Sequence, residues 1–464
     1  MESLMEYGEY IYSVPSKFAF ELSLVAFAVW MWKKNLAESN STRKMTDQEK
    51  AQILANFTPE PLCDDIPEDH YALNPRIVSG RIGKRITVNG KDCLNMATNN
   101  FLGLSDRPDS NEKATKALRN YGVGSCGPRG FYGTADVHLE LESRLAKFMG
   151  VEEACLYSYG FSAISSAIPS YSKNHDVIFA DEQVNFAIQQ GITGSRSTVY
   201  YFKHNDPNDL ERLLRAQDER DRKDPKKAKN VRRFLIIEGI YMNTGTLVNL
   251  REIVKLRAKY KCRLFLDETI SFGVLGATGK GVREHFGVPN SEIDLIASTL
   301  EHSISSYGGF LCGSSFLMEH QRLCGLAYCF SASLPPLQAV VTLTHLDVVS
   351  EDPEIMEKLR ENCKKMQNML MEGLTHLRTD SHPLSPVKVL VLSEAEDRVV
   401  AEEKLNAIVT FAENHGVALT VFRRLPKEEL LEHPPSIKLT VSSLLTESDM
   451  KSVVEVLNEA CSQL

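Results

Sequence analysis

The stretch Ser298 to Gly313, STLEHSISSYGGFLCG, follows an apolar run, turns through Gly308 and Gly309 and ends in another short apolar run. At its centre stand a carboxylate and an imidazole, Glu301 and His302, which can move protons but cannot condense with an aldehyde. Three more apolar runs stop in polar residues: YSYGFSA from Tyr157, ADEQVNFAIQQG with Asn185, and FLDETISFGVLG with Asp267 and Ile270. A glycine-rich loop, YGVGSCGPRGFYGTADVHLELE, adds Cys126, Pro128, Arg129 and Tyr132. A primary amine is missing from this set: Lys280 lies 13 residues past Asp267 in a glycine-rich segment, and the next lysine is Lys358.

These residues must be positioned by the apolar runs that precede them. HDVIFAD, STVYYF, VRRFLIIEG, CRLFLDETI and EIDLIASTL are short and rich in β-branched or aromatic residues, and they alternate with helical periods. In HLELESRLAKFMG, Leu141, Leu145, Phe148 and Met149 share one helical face. The pattern predicts an α/β fold with a largely parallel sheet, in which ligands bind beyond the carboxyl ends of the strands. Asn89-Gly90 between alternating segments predicts a hairpin. The charge-dense segment around residues 214–233 reads as a solvated loop or as a surface for anionic lipid head groups. After about Ser350 a long helical stretch leads to a smaller unit with strands in GVALTVF and SIKLTV and a final helix from Glu447.

The net charge of -8 and pI of about 5.9 argue against a nucleic-acid binder. Ten cysteines from Cys63 to Cys461 form no CxxC pair, which argues against a zinc site and a dense disulfide framework; they are expected reduced, facing cytosol. Phe18 to Trp32 is nearly apolar and sits between Lys17 and the pair Lys33, Lys34. Extension through Tyr10, Ile11, Tyr12 and Val14 gives a spanning length but includes Pro15, Lys17 and Glu21. The segment lacks a signal-peptide pattern and reads as a retained anchor, spanning in preference to lying flat, with a lumenal N-terminus and cytoplasmic bulk. Residues 36–95, with prolines at 59, 61, 67 and 75, read as a linker and arm.

In order and spacing, the strand stops and the glycine loop resemble the α-oxoamine synthase group of type I fold pyridoxal-phosphate enzymes, from about residue 60 to the C-terminus. The resemblance implies a large domain (96–345) with a mostly parallel seven-stranded sheet and a smaller C-terminal α/β domain (346–464). A membrane helix (1–35) and the arm (36–95) precede them. In that group an Asp-Glu-x-His strand end pairs with the pyridinium nitrogen, and a Thr-x-x-Lys before a Gly-Gly turn supplies the imine lysine. Carried over residue by residue, the Asp is Asp267 and the turn is Gly308 and Gly309. The lysine position falls on His302, the histidine of the strand end on Ile270, and the ring-stacking histidine on Asn185. YCFSASLPP, with Phe330, Ser331, Ala332 and Ser333, resembles the segment that reaches a neighbouring subunit's cofactor phosphate. The loop residues Cys126, Arg129 and Tyr132 then shape a site whose lysine belongs to another chain.

The strings CGPRGFYGT, FKHNDPNDLERLL, EGIYMNTGT and CFSASLPP are similar to the long-chain-base subunit 1 family of serine palmitoyltransferases. The resemblance implies a non-catalytic partner of a lysine-bearing subunit 2 in the endoplasmic reticulum membrane. The partner binds pyridoxal phosphate, and the pair condenses L-serine with palmitoyl-CoA to 3-oxosphinganine. A small activating membrane subunit and membrane regulators are also implied.

Other readings stay open at each position. Asp267 can cap the next turn or keep a pyridinium partner for non-covalent cofactor binding, His302 can be a packed core residue, and the two glycines can serve the turn alone. The Arg129 loop can be a rigid surface turn. For the whole chain, the alternatives are an active α-oxoamine synthase with an unorthodox base and a membrane scaffold unrelated to the cofactor.

Overall fold

In a computed structural model, the structure describes residues 15–41, 45–63, 65, 66, 68, 73–425 and 427–463, with the side chains of 15–18 and 35–41 left aside. The chain divides into two units, Met1–Pro75 and Arg76–Leu464. The expected lumenal N-terminus, including Tyr10, Ile11, Tyr12 and Val14, lies outside the described residues, as does Pro67.

In the first unit the helix Pro15–Ser41 is 27 residues long, about 40 Å at the usual rise. Phe20, Leu24, Phe27, Trp30 and Trp32 along it are exposed. Among the described residues no helix is long and apolar enough to cross a membrane. The expected spanning segment is therefore unconfirmed: the described part of the apolar run contains Glu21 and is bounded by lysines, and its extension through Tyr10 to Val14 lies outside the described residues. A second helix, Asp47–Asn56, starts at a capping box in which Thr46 and Glu49 satisfy each other's backbone amides.

The second unit is built on seven strands: β1 (Glu153–Tyr157), β2 (Val177–Asp181), β3 (Thr198–Phe202), β4 (Arg233–Glu238), β5 (Arg263–Asp267), β6 (Leu295–Thr299) and β7 (Gly309–Gly313). Their order is β1-β7-β6-β5-β4-β2-β3, all parallel except β7, which runs antiparallel to both β1 and β6. Central strands such as VIFAD and LIAST are buried along their whole length, as a sheet covered by helices on both faces requires. Gly308 at φ +94 turns the chain into β7, and an added Cβ would meet the Tyr157 carbonyl at 2.6 Å. Asn89 and Gly90, both at positive φ, close the expected hairpin between Arg85–Val88 and Lys91–Asn95.

That hairpin belongs to a four-stranded sheet whose far edge, Val417–Ala418, pairs in parallel with Lys91–Asn95. A second four-stranded sheet joins Leu377–Arg378, Val387–Leu392, Ile437–Thr440 and Thr420–Val421, all antiparallel. The final helix is Glu447–Ser462, again started by a capping box at Thr446.

The charge-dense segment is only partly a loop. Its first half continues the helix Pro207–Lys223, because Leu210, Leu214 and Gln217 fall on one buried face. Several of its charges are engaged locally: Arg233 pairs with Asp218 at 2.8 Å and Asp221 at 2.6 Å, and Arg220 lies 4.9 Å over the Tyr200 ring.

Candidate active site at the strand ends

Asp267 ends β5, fully buried, beside Glu238 at the end of β4. Its Oδ1 accepts the Thr269 amide at 2.9 Å, so it does cap the turn that follows. Its Oδ2 accepts the Asn185 side-chain amide at 3.0 Å. Asn185 is the N-cap of the helix Phe186–Ser195: its Oδ1 accepts from the Ile188 amide at 3.1 Å, and its own amide donates to Glu238 at 2.6 Å. This residue therefore clamps two carboxylates. Burial pushes both carboxyls above the usual range, and for Glu238 the neighbouring Asp267 adds to the rise. At neutral pH the pair holds fewer than two negative charges.

Glu268, the next residue, is also buried. It accepts from the amides of Val282 at 2.9 Å and Arg283 at 3.3 Å and from the Ser271 hydroxyl, yet burial still lifts its carboxyl to about 7. Ile270 is core.

His302 is buried against Phe101, ring centroids 5.6 Å apart, and its Nδ1 donates to the Thr269 carbonyl at 3.2 Å. Burial, then the charge of Lys438, press its basicity down to about 3, so the ring is neutral. The packed-residue reading of His302 is the one this geometry supports.

Lys438 was not visible as a neighbour in the sequence. It stands in the strand Ile437–Thr440 of the C-terminal sheet, and burial lowers its amine to about 8. Lys438 and Arg424 both lie over the Phe422 ring, at 5.9 and 4.0 Å. A lysine inside the apolar run SIKLTV was the available signal, since a charge is costly there without a reason.

The glycine loop folds onto the YCFSASLPP segment. Ser333 donates its amide to Gly127 at 3.0 Å, accepts at its carbonyl from Ser125 at 3.1 Å and turns its hydroxyl to the Gly133 carbonyl. It is buried, so its hydroxyl is not presented to a neighbour as the sequence reading expected. Ser331 is half-buried with a long contact of 3.4 Å to the Ala332 carbonyl, and Ala332 is exposed. Arg129 is likewise internal: its guanidinium makes a two-pronged pair with Glu142 at 2.7 and 3.0 Å and lies 5.4 Å over Tyr328. It holds the loop's shape and is not offered to a ligand. Cys126, Tyr132 and Phe330 are exposed, and the first two adopt positive φ without being glycine. Phe131, Tyr159 and Phe161 are exposed as well.

Pyridoxal phosphate does not fit these residues as they stand. Asp267 would suit a pyridinium, but it is bonded to Asn185 beside a second carboxylate. The position that the resemblance assigns to the imine lysine holds the His302 imidazole, and Glu301 Oε1 stands 3.5 Å from the Gly160 amide that opens the helix Gly160–Tyr171.

Residues 91–457 match the aminotransferase class I and II family. The chain is similar to serine palmitoyltransferase 1 of Dictyostelium discoideum, 39% identical over 98% of this chain and 96% of that protein. It is similar to long chain base biosynthesis protein 1 of Arabidopsis thaliana at 40% identity, covering 91% of this chain and 86% of the relative. Among solved structures, a serine palmitoyltransferase from S. paucimobilis with a bound PLP-myriocin aldimine superposes with a TM-score of 0.75 at 22% identity, over 84% of this chain and 93% of that one, a likeness of fold. A seven-stranded sheet in this order, an acidic strand end and relatives of this length and identity together make the chain a member of the class I and II aminotransferase family, in the serine palmitoyltransferase 1 and long chain base biosynthesis protein 1 branch.

Proposed function

We propose that this chain is the non-catalytic, stabilising and site-completing subunit of a serine palmitoyltransferase. That enzyme condenses L-serine with palmitoyl-CoA to 3-oxosphinganine, the first step of sphingolipid synthesis. The observation that carries the reading is the neutral, buried His302 hydrogen-bonded to Thr269, where an imine-forming amine is required. The cofactor is then bound by a homologous lysine-bearing subunit 2. The exposed aromatics Phe131 and Tyr132, on a loop braced by Arg129 and Ser333, and Phe330 at the end of the helix Leu326–Phe330 support a docking role for that partner.

One observation favours the runner-up, an active synthase with an unorthodox base: Lys438 is a half-buried amine of lowered basicity whose charge acts on His302. A single experiment separates the two. The chain is expressed with and without the lysine-bearing subunit, serine-dependent CoA release is measured, and each sample is treated with borohydride in the presence of pyridoxal phosphate. Release requires the partner and the trapped label lies on the partner alone. Release by this chain by itself, or a label on Lys438, sinks the reading.

The same reading places the chain at the endoplasmic reticulum membrane, its bulk cytoplasmic. Support comes from the exposed Phe20, Leu24, Phe27, Trp30 and Trp32 of the helix Pro15–Ser41, a surface favourable to lipid. Removing residues 1–41 should shift the chain, expressed without partners, from floating to sedimenting fractions in a membrane flotation gradient. Unchanged flotation would remove this helix as the anchor.

A further inference from the structure

A phosphate monoester at the carboxyl ends of such strands is held by amides at a helix start and by nearby hydroxyls. In this chain the hydroxyls of that corner are already engaged. The helix Gly160–Tyr171 opens against β6, so closely that a Cβ at Gly160 would come within 2.4 Å of Thr299 Oγ1. The Thr299 hydroxyl donates to the Gly308 carbonyl at 3.1 Å, Ser162 to the Tyr159 carbonyl at 2.9 Å, and Ser158 to the Ala332 carbonyl. Of the backbone amides that open this helix, that of Gly160 is faced by Glu301 Oε1 at 3.5 Å. β6 pairs with β5 so that Ala297 lies beside Asp267. A ring resting on Asp267 would therefore extend its far end toward Thr299 and Glu301.

We infer that Glu301 closes this chain's own site to phosphate monoesters, by holding a carboxylate at the Gly160 amide where a phosphate oxygen would bind. The inference rests on the reading that the chemistry belongs to the partner, and it adds that the anion end is blocked independently of the missing amine. A carboxylate repels phosphate and also occupies its donor, so removing it changes both charge and hydrogen-bond capacity.

The test uses the full-length chain and its Glu301→Ser and Glu301→Gln variants in equilibrium dialysis. The probe is pyridoxamine 5′-phosphate, which carries no aldehyde to react with surface lysines, and pyridoxamine is the phosphate-free control. The expected result is at least about tenfold tighter binding of the phosphorylated probe by Glu301→Ser, competed by inorganic phosphate, with pyridoxamine unchanged. Glu301→Gln, which keeps an oxygen for Gly160 but not the charge, falls between and stands in should the serine variant unfold. Equal binding of the phosphorylated probe by the unaltered chain and the folded variants, whether tight or immeasurable, overturns the inference. Borohydride trapping on the unaltered chain would instead refute the proposed function, and the Glu301 ratio would still be read on its own.

Discussion

Arg129→Ala should lower the unfolding free energy by about 3–5 kcal/mol, the usual loss when one member of a buried ion pair is removed. Both side chains are nearly inaccessible, with exposures of 5% and 8%, so the orphaned Glu142 carboxylate could not recover its hydration. Three elements would loosen together, since Arg129 also donates to Thr134 at 3.0 Å and packs over Tyr328, while Glu142 accepts the Leu156 amide of β1 at 2.9 Å. Urea titration measures the loss, and a fall below about 1 kcal/mol would show that the pair is not what holds the loop. Arg129→Met with Glu142→Leu should recover part of it, because two apolar side chains leave no buried charge. Recovery stays partial, as the Leu156 amide loses its acceptor. On the proposed reading of a partner subunit, the single variant should also weaken association, for the exposed aromatics Phe131 and Tyr132 sit on the loop that Arg129 braces.

The second large effect is a pH dependence carried by Glu268. Its carboxyl titrates near 7 when folded, against an ordinary value of 4.5. Below the ordinary value both states are protonated and there is no penalty. As pH rises from there, the unfolded chain loses its proton first, so stability falls until the folded value is passed and is flat above it. The interval corresponds to about 3 kcal/mol. Glu268→Gln should therefore shrink the decline in unfolding free energy between pH 5 and pH 8 by about that amount. Glu238 and Asp267 shift in the same direction and buried histidines such as His138 in the other, so the difference between the two proteins isolates Glu268. Parallel stability curves for the two would contradict the assignment.

Local pattern carried most of the fold. Runs such as VIFAD and LIAST are apolar without alternation because both faces are covered, and Asn89-Gly90 names its own turn. The helix through residues 214–223 was hidden by charge density, since beyond Leu214 it carries no large apolar residue. The site was legible where residue type alone decides, as at Asp267, Gly308 and His302. It was not legible where a partner arrives from far along the chain. The charge of Lys438 acts on His302 from the C-terminal sheet, and Arg129 is claimed by Glu142 on the following helix, so its resemblance to a substrate-loop arginine concealed a bracing role. Asn185 looked like a lost ring, but its side-chain amide suits a cap that also holds Asp267, while its backbone amide donates to Glu238.

The parallel pairing of Leu94 with Val417 has a consequence for biosynthesis. The edge formed by Lys91–Asn95 leaves the ribosome about 320 residues ahead of the strand that covers it. At ordinary elongation rates that is roughly 15–60 s of exposure for a row of unpaired amides and carbonyls. A nascent chain paused in that interval offers a template for strand addition, so chaperone occupancy during translation should peak after the hairpin emerges and end only as the last hundred residues are made.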